Sequence, residues 1–377
     1  MKLNFRGFAV LAAIVLVAAI GLLYFFNANR VSPTTKQTTG IQIASAEKGD
    51  YQTVIKNGRY LTSAARGIAA GSEQNALDTK HFEDGLLDLS KETFSTKDYI
   101  FQEGQYLSTD TVTSWLERSS DDKNGLNPPD NKKYDDSRNP VYIQSISEQD
   151  FMTQSGKSLK LSGMTIGLAM NTQDSYQKVQ YGATYTQDID HAAMVAYGQE
   201  AAKKIIQRLR ADKKIGDNTK IMVAMYANAP SDSLAGGDFY SYAVSDHGNT
   251  LGSWQNLNWT RLVLPKAATD TSSLGDSTDT AFTNFKNEVQ NFFPNIAGAT
   301  AEAEFRDNSL YSMTINVTTQ FYSQTEIDAF TTFVGTAATK YLPRNVPIQV
   351  KVQTASDMQA ILLRARGENN FVTTVLK

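Results

Sequence analysis

The 377 residues contain no cysteine. Disulfide frameworks, cysteine-based zinc sites, thiol catalysis and lipid attachment to a cysteine are therefore excluded. Histidine is nearly as scarce: three residues leave little for a histidine-rich metal centre. An excess of positive charge is also missing. Lys+Arg 36 against Asp+Glu 39 gives a formal charge of −3, and nothing in that balance offsets a phosphate backbone, so nucleic acid is not expected as a partner. No G-x-G-x-x-G, G-x-S-x-G or H-E-x-x-H occurs, and Gly156-Lys157-Ser158 lacks the upstream glycine of a phosphate loop because position 151 is Phe. No cofactor and no metal are expected. What the chain does have is core material, 41% hydrophobic against 20% charged, and a length of about two domains with an appendage.

The appendage is the N-terminus. Phe8 to Phe26 (FAVLAAIVLVAAIGLLYFF) is nineteen residues without a charge. A helix of that length rises about 28 Å, close to the roughly 30 Å hydrocarbon core of a bilayer. Lys2 and Arg6 precede it, which favours a cytoplasmic N-terminus and an extracellular bulk. The competing reading is a cleavable signal peptide. Its apolar region would be shorter and would end in small residues, whereas this run ends in Tyr24, Phe25 and Phe26. The expectation is a single-pass cell-membrane protein: an anchor over 1–30, touching the lipid bilayer through 8–26, and a flexible polar linker over 31–50. Such a linker reaches about 25–30 Å.

Beyond the linker, the sequence predicts an α+β protein: the N-terminal transmembrane helix followed by two mixed α/β, sandwich-like domains over 51–265 and 281–377. The small polar stretch 266–280 (KAATDTSSLGDSTDT) is expected to link them. Ser119–Pro140 reads as a long loop. In the first domain, Met164–Met170 (MTIGLAM) and Ile221–Tyr226 (IMVAMY) read as strands covered on both faces. Between them Asp190 caps a helix with Met194, Tyr197, Ala201, Ile205 and Leu209 inward. Phe239–Val244 and Arg261–Leu264 are further strand candidates. In the second domain Tyr311, Met313, Ile315 and Val317 alternate with polar residues, as do Ile348, Val350 and Val352. Phe282–Phe293 and a helix opened by the capping box Ser323-Gln-Thr-Glu326 would cover the apolar side, giving a two-layer sandwich. Both halves carry strand, long helix, strand, which leaves a duplication open although the side chains do not repeat in register.

The densest chemistry lies in HFEDGLLDLSKE: His81, Glu83, Asp84, Asp88 and Glu92. Glu83, Asp84 and Asp88 are the candidate catalytic residues, since two such carboxylates could serve as an acid/base pair on a wall glycan. The alternative has Leu86, Leu87 and Leu89 packing while the acids face water. His81, Trp254 and Trp259 are candidate ligand contacts. Asp188, Asp190 and His191 read as helix-start acids rather than metal ligands. Asp122-x-Asn124-Gly125 reads as a solvated turn, because a calcium loop would close with Glu where Asn131 stands. Ser245, Asp246 and His247 make no case for a triad from sequence alone. Lys203, Lys204, Arg208 and Arg210 read as a solvated helix face.

Several stretches together resemble the CamS-like sex-pheromone lipoprotein family of Gram-positive bacteria. They are His81–Ser108 (HFEDGLLDLSKETFSTKDYIFQEGQYLS), Gly125-Leu-Asn-Pro128, Tyr142–Phe151 (YIQSISEQDF) and Gly163–Asn171 (GMTIGLAMN), with weaker support from Gly236–Phe239 and Ser253–Pro265. The resemblance implies a membrane-tethered extracytoplasmic protein. It further implies that an apolar heptapeptide of the leader is released as a mating pheromone. The segment matching that heptapeptide is Ala13, Ile14, Val15, Leu16, Val17, Ala18 and Ala19. Here the chain departs from the family, because the residue after Ala19, where the lipid-accepting Cys belongs, is Ile20. With no thiol to lipidate, a retained helix replaces the acyl anchor and argues against peptide release. The expected role is binding at the cell surface or wall, to a partner the sequence does not name. The alternative is an envelope enzyme acting through the His81–Glu92 acids.

Overall fold

Asp78 opens the first helix. Its carboxylate accepts the His81 backbone N–H at 3.0 Å, and α1 then runs Thr79–Ser90. The computed structural model describes residues 40–70, 75–156, 158–292, 298–321 and 323–376. The expected membrane helix over 8–26, with Ala13–Ala19 inside it, lies outside the described residues. Among the described residues no helix is long and apolar enough to cross a membrane.

Of the described residues, 40–44 with 54–61 form one compact unit, and 45–53 with those from 62 onward another. In the first, Asn57 (φ 51°) and Gly58 (φ 73°) take left-handed conformations and turn the chain back, so that Ile55 pairs with Tyr60. Gly40 is tied to this turn by hydrogen bonds to and from Asn57.

In the second unit the first sheet is ordered β1 (Ile100–Glu103), β2 (Ile143–Ser155), β3 (Ser158–Met170), β4 (Lys220–Ala227), β5 (Asp238–Ser245) and β6 (Gln255–Asn256). Among these six strands β3 and β4 pair in parallel and the other neighbours antiparallel, while Thr53 pairs in parallel with Phe101 at the β1 edge. A parallel neighbour needs a crossover, which α3 (His191–Ala211) supplies, with Asp190 capping it at 2.8 Å to Ala193 N. The two faces of β3 meet different helices. A side chain at Gly163 or Gly167 would collide with Phe94 or with Phe82 and Leu86, whereas Met170 and Met225 approach Gly198 of α3. The sheet is thus a filling between α1 and α3, and Met164 through Met170 are all buried. Phe82, Phe94, Phe151, Tyr226 and Phe239 form the core on the α1 side, with Phe94 stacked on Phe151 at 4.5 Å. The helix α2 (Thr109–Leu116) follows β1 and packs on β2.

The second sheet is ordered β7 (Trp259–Leu264), β8 (Gly298–Arg306), β9 (Ser309–Thr318), β10 (Ile348–Gln353), β11 (Met358–Arg364) and β12 (Val372–Val375). α4 (Asp276–Phe292) joins β7 to β8, and α5 (Gln324–Tyr341) makes the crossover between the parallel β9 and β10. Ser323 caps α5, as its capping box predicts. Phe282, Phe285 and Val289 of α4 and Phe330, Val334 and Ala337 of α5 bury one face. The other face keeps Ser312, Thr314 and Asn316 at the surface.

The connection order is the same in both sheets: strand, helix, two strands of a hairpin, crossover helix, three strands. β7, which precedes the stretch 266–280, pairs with β8 beyond it, so the chain changes sheets between Asn256 and Trp259. The stretch itself leads directly into α4, with the Lys266 backbone N–H donating to Asp279 at 2.8 Å.

Candidate functional site

α1 is twelve residues with two working sides, and its acids part company. Glu83 turns toward the first sheet. Its carboxylate accepts the Ser147 hydroxyl at 2.7 Å, and the Gln149 amide donates to its backbone oxygen at 3.1 Å. Burial pushes the Glu83 carboxyl above the usual range, against the lowering effect of those hydrogen bonds. It lines a crevice with Glu103 and Glu148. Glu103 is paired with Arg66 and accepts Ser63 N at 2.8 Å. Glu148 accepts the backbone N–H groups of Leu107 at 2.7 Å and Tyr106 at 2.9 Å. Next along β2, Asp150 is fully buried and accepts Gln105 N at 3.0 Å. Burial and the Glu148 charge together hold its carboxyl well above the ordinary range. The crevice interior is about 20 Å³, enough for one water and not for a sugar ring. The Glu83 carboxyl is shifted in the direction a general acid needs, but the crevice has no room for a substrate.

Asp88 turns the opposite way, toward the second sheet. It accepts Arg306 at 2.6 Å and the Tyr311 hydroxyl at 3.0 Å. Burial pushes its carboxyl up, but the Arg306 and Lys91 charges and the Tyr311 hydrogen bond outweigh that, and the net is below the usual carboxylate range. The Arg306 guanidinium is held between two rings, 3.7 Å from the centroid of Trp259 and 3.4 Å from that of Tyr311. At the start of α1, His81 has Nδ1 2.7 Å from Asp78 and Nε2 3.2 Å from Glu302 of β8. Arg261 donates to the Gly237 carbonyl and lies 3.4 Å from both Asp238 and Glu302. Asp84 points to solvent and, among the described residues, is ion-paired only with Lys80.

The expected acid pair is therefore not assembled: Glu83, Asp84 and Asp88 occupy three different environments. The alternative, in which all the acids face water, fails as well for Glu83 and Asp88. Trp259 serves as a plate for Arg306 and packs edge-on against Phe239 at 5.9 Å. Trp254 shares no hydrogen bond or ring contact with these residues among those described. Ser245 is buried and bonded to Arg210, while Asp246 is paired with Lys220 at 2.8 Å, so no triad forms. Asp122 makes a local turn to Asn124 N at 2.7 Å. Among the described residues no group of three His, Cys, Asp or Glu could hold a metal ion. The supposed solvated face of α3 needs correction. Lys203 and Lys204 are exposed, but Arg208 lies over the Trp115 ring and Arg210 is buried, its guanidinium spent on the carbonyls of Gly216, Thr219, Ser245 and Gly248.

Glu103, Glu148 and Asp150 escape sequence reasoning because nothing marks them as a cluster. The one available signal is two charges, Glu148 and Asp150, within the stretch Tyr142–Phe151.

Comparison with known proteins gives a consistent picture. A family model described as CamS sex pheromone cAM373 precursor matches residues 60–370. The chain is similar to the crystal structure of a sex pheromone precursor from Lactobacillus salivarius subsp. salivarius UCC118. Identity is 46%, 90% of this chain and 99% of that one are covered, and the TM-score is 0.84. It is also similar to the C-terminal domain of the sex pheromone staph-cAM373 precursor of Staphylococcus aureus, at 26% identity. That match covers 81% of this chain and all of the other, with a TM-score of 0.68. No curated protein matches.

Proposed function

The chain belongs to the CamS family of sex pheromone cAM373 precursors, and from that premise we propose that it is a membrane-held extracytoplasmic protein whose two-sheet body binds a partner at the cell surface. The observation that carries this reading is the uncharged run Phe8–Phe26, preceded by Lys2 and Arg6 and followed by a polar tether ahead of the family region that begins at residue 60. Ile20, in the place of a lipid-accepting Cys, makes the apolar helix the anchor and keeps Ala13–Ala19 in the membrane. Binding is favoured over catalysis by the crevice at Glu83, where burial raises the carboxyl but there is space for only one water.

Fractionation of cells making the full chain tests the anchor. The protein is expected in membranes after a carbonate wash, digested by protease added to intact protoplasts, and released to the medium when residues 1–30 are replaced by a cleavable leader. Recovery of the full chain in the cytosol, or of a secreted form lacking residues 1–30, overturns it. Mass spectrometry of culture supernatant is expected to show no peptide from Ala13–Ala19; finding one overturns the retention of that segment.

A further inference from the structure

The strand β11 places Ala360, Leu362 and Arg364 on its buried side. A guanidinium thus takes a position where the period-two pattern calls for an apolar group, and Arg364 is only 3% exposed. Its Nη2 donates to the Pro343 carbonyl, just beyond the end of α5. A cation suits that helix end, which explains one donor. It does not explain the others: Nε and Nη1 are buried without a hydrogen-bond partner, and no carboxylate among the described residues is ion-paired with Arg364. A buried charge left without a counter-charge is strongly disfavoured.

A second cation worsens the imbalance. Burial and the nearby Arg344 both push the Arg364 guanidinium down. Arg344 itself is exposed in the turn after α5 and has no ion pair among the described residues. The Phe371 ring lies over the Arg364 guanidinium, 4.8 Å from centroid to charge. On the surface, Phe371, Arg344 and Lys340 line one cleft between α5 and residues 370–373. Arg364 therefore sits behind the aromatic wall of a cleft lined by Arg344 and by Lys340, the latter paired with Glu288 at 3.6 Å. That wall stands immediately before the short, exposed outer strand β12.

We propose that Arg364 and Arg344 form a binding site for an oxyanion, a phosphate or carboxylate group, with Phe371 as its door. An arginine matches either group through two parallel hydrogen bonds, from Nε with Nη2 or from Nη1 with Nη2; one Nη2 hydrogen goes to Pro343, and the other completes one such edge with the free Nε or Nη1. The bound anion supplies the counter-charge that the protein's own acids do not.

The test is thermal unfolding and calorimetric titration of the full chain in detergent micelles. Inorganic phosphate and acetate are compared with chloride at matched ionic strength. Saturable stabilisation by phosphate, acetate or both, beyond that of chloride, is the expected result, and their ratio separates a phosphate ligand from a carboxylate one. Arg344→Ala, at an exposed position, should weaken the apparent affinity about tenfold. Arg364→Met should abolish the response. Should that variant fail to fold, Phe371→Ala opens the cleft and should speed or tighten binding. No effect beyond chloride, or a wild-type response from Arg344→Ala, overturns the proposal.

Discussion

The two sheets share one connection order and differ in how many faces are covered. The first lies between α1 and α3, and the second is covered by α4 and α5 on one side only. The consequence is electrostatic. Where both faces are covered, polar side chains on β2 are taken out of water, and Glu83 and Asp150 hold their protons above the usual range. Where a face is left polar, it can accept a charge from a neighbour. Asp88 of α1 reaches it, finds Arg306, and is held below the usual range. Five residues apart on one helix, Glu83 and Asp88 are shifted in opposite directions because they face different layers.

Removing the element that serves both layers should have the largest effect. Phe82→Ala empties a fully buried site among Tyr226, Phe239 and Leu86 and is expected to cost about 3–5 kcal/mol in urea unfolding. An effect near zero would mean that α1 is not the core helix of the first sheet. Cutting the link to the second sheet comes next. Arg306→Ala strips Asp88 of its counter-charge and Trp259 and Tyr311 of the ring contact, for an expected loss of about 2–3 kcal/mol. The loss should shrink at acid pH, where Asp88 is protonated in either case.

Titration sharpens the same contrast. Asp150 has a raised carboxyl in the folded state, so the fold binds its proton more tightly than the unfolded chain does. Its stabilising contribution is complete below the ordinary carboxylate range and is lost as pH rises through the folded-state value. Asp150→Asn is therefore expected to flatten the fall in stability on the alkaline side, read from unfolding free energies between pH 4 and 9. Asp88 has the opposite sign: its contribution is present above the ordinary range and is lost as pH falls through the lowered value. The smallest effect belongs to the acid that faces neither sheet. Asp84→Asn breaks only an exposed pair with Lys80 and should change stability by less than about 0.5 kcal/mol.

Much of this architecture is legible in the sequence wherever one periodicity dominates. Met194, Ala201, Ile205 and Leu209 announce α3, the capping box at Ser323 announces α5, and alternation along Tyr311–Val317 announces a one-sided strand. β2 is not legible by the same rule. Gln144, Ser145, Ser147, Glu148, Gln149 and Asp150 are all buried, so the strand has no apolar stripe to read. Its burial follows from partners far away in sequence, among them Glu83 and the backbone of Tyr106 and Leu107. α1 is obscured for a related reason. Gly85 interrupts a good helix pattern, yet the structure needs it because the Phe239 ring would lie 2.8 Å from a side chain there. The acids of HFEDGLLDLSKE stand together on paper and diverge in space, since neighbours on a helix point in different directions.

α1 has one further consequence. It carries Phe82 and Leu86 into the first sheet while Asp88 grips Arg306 of the second. Neither half can open without disturbing this shared rod, so residues 62–377 should melt as one cooperative block. Differential scanning calorimetry should then give equal calorimetric and van't Hoff enthalpies for that block.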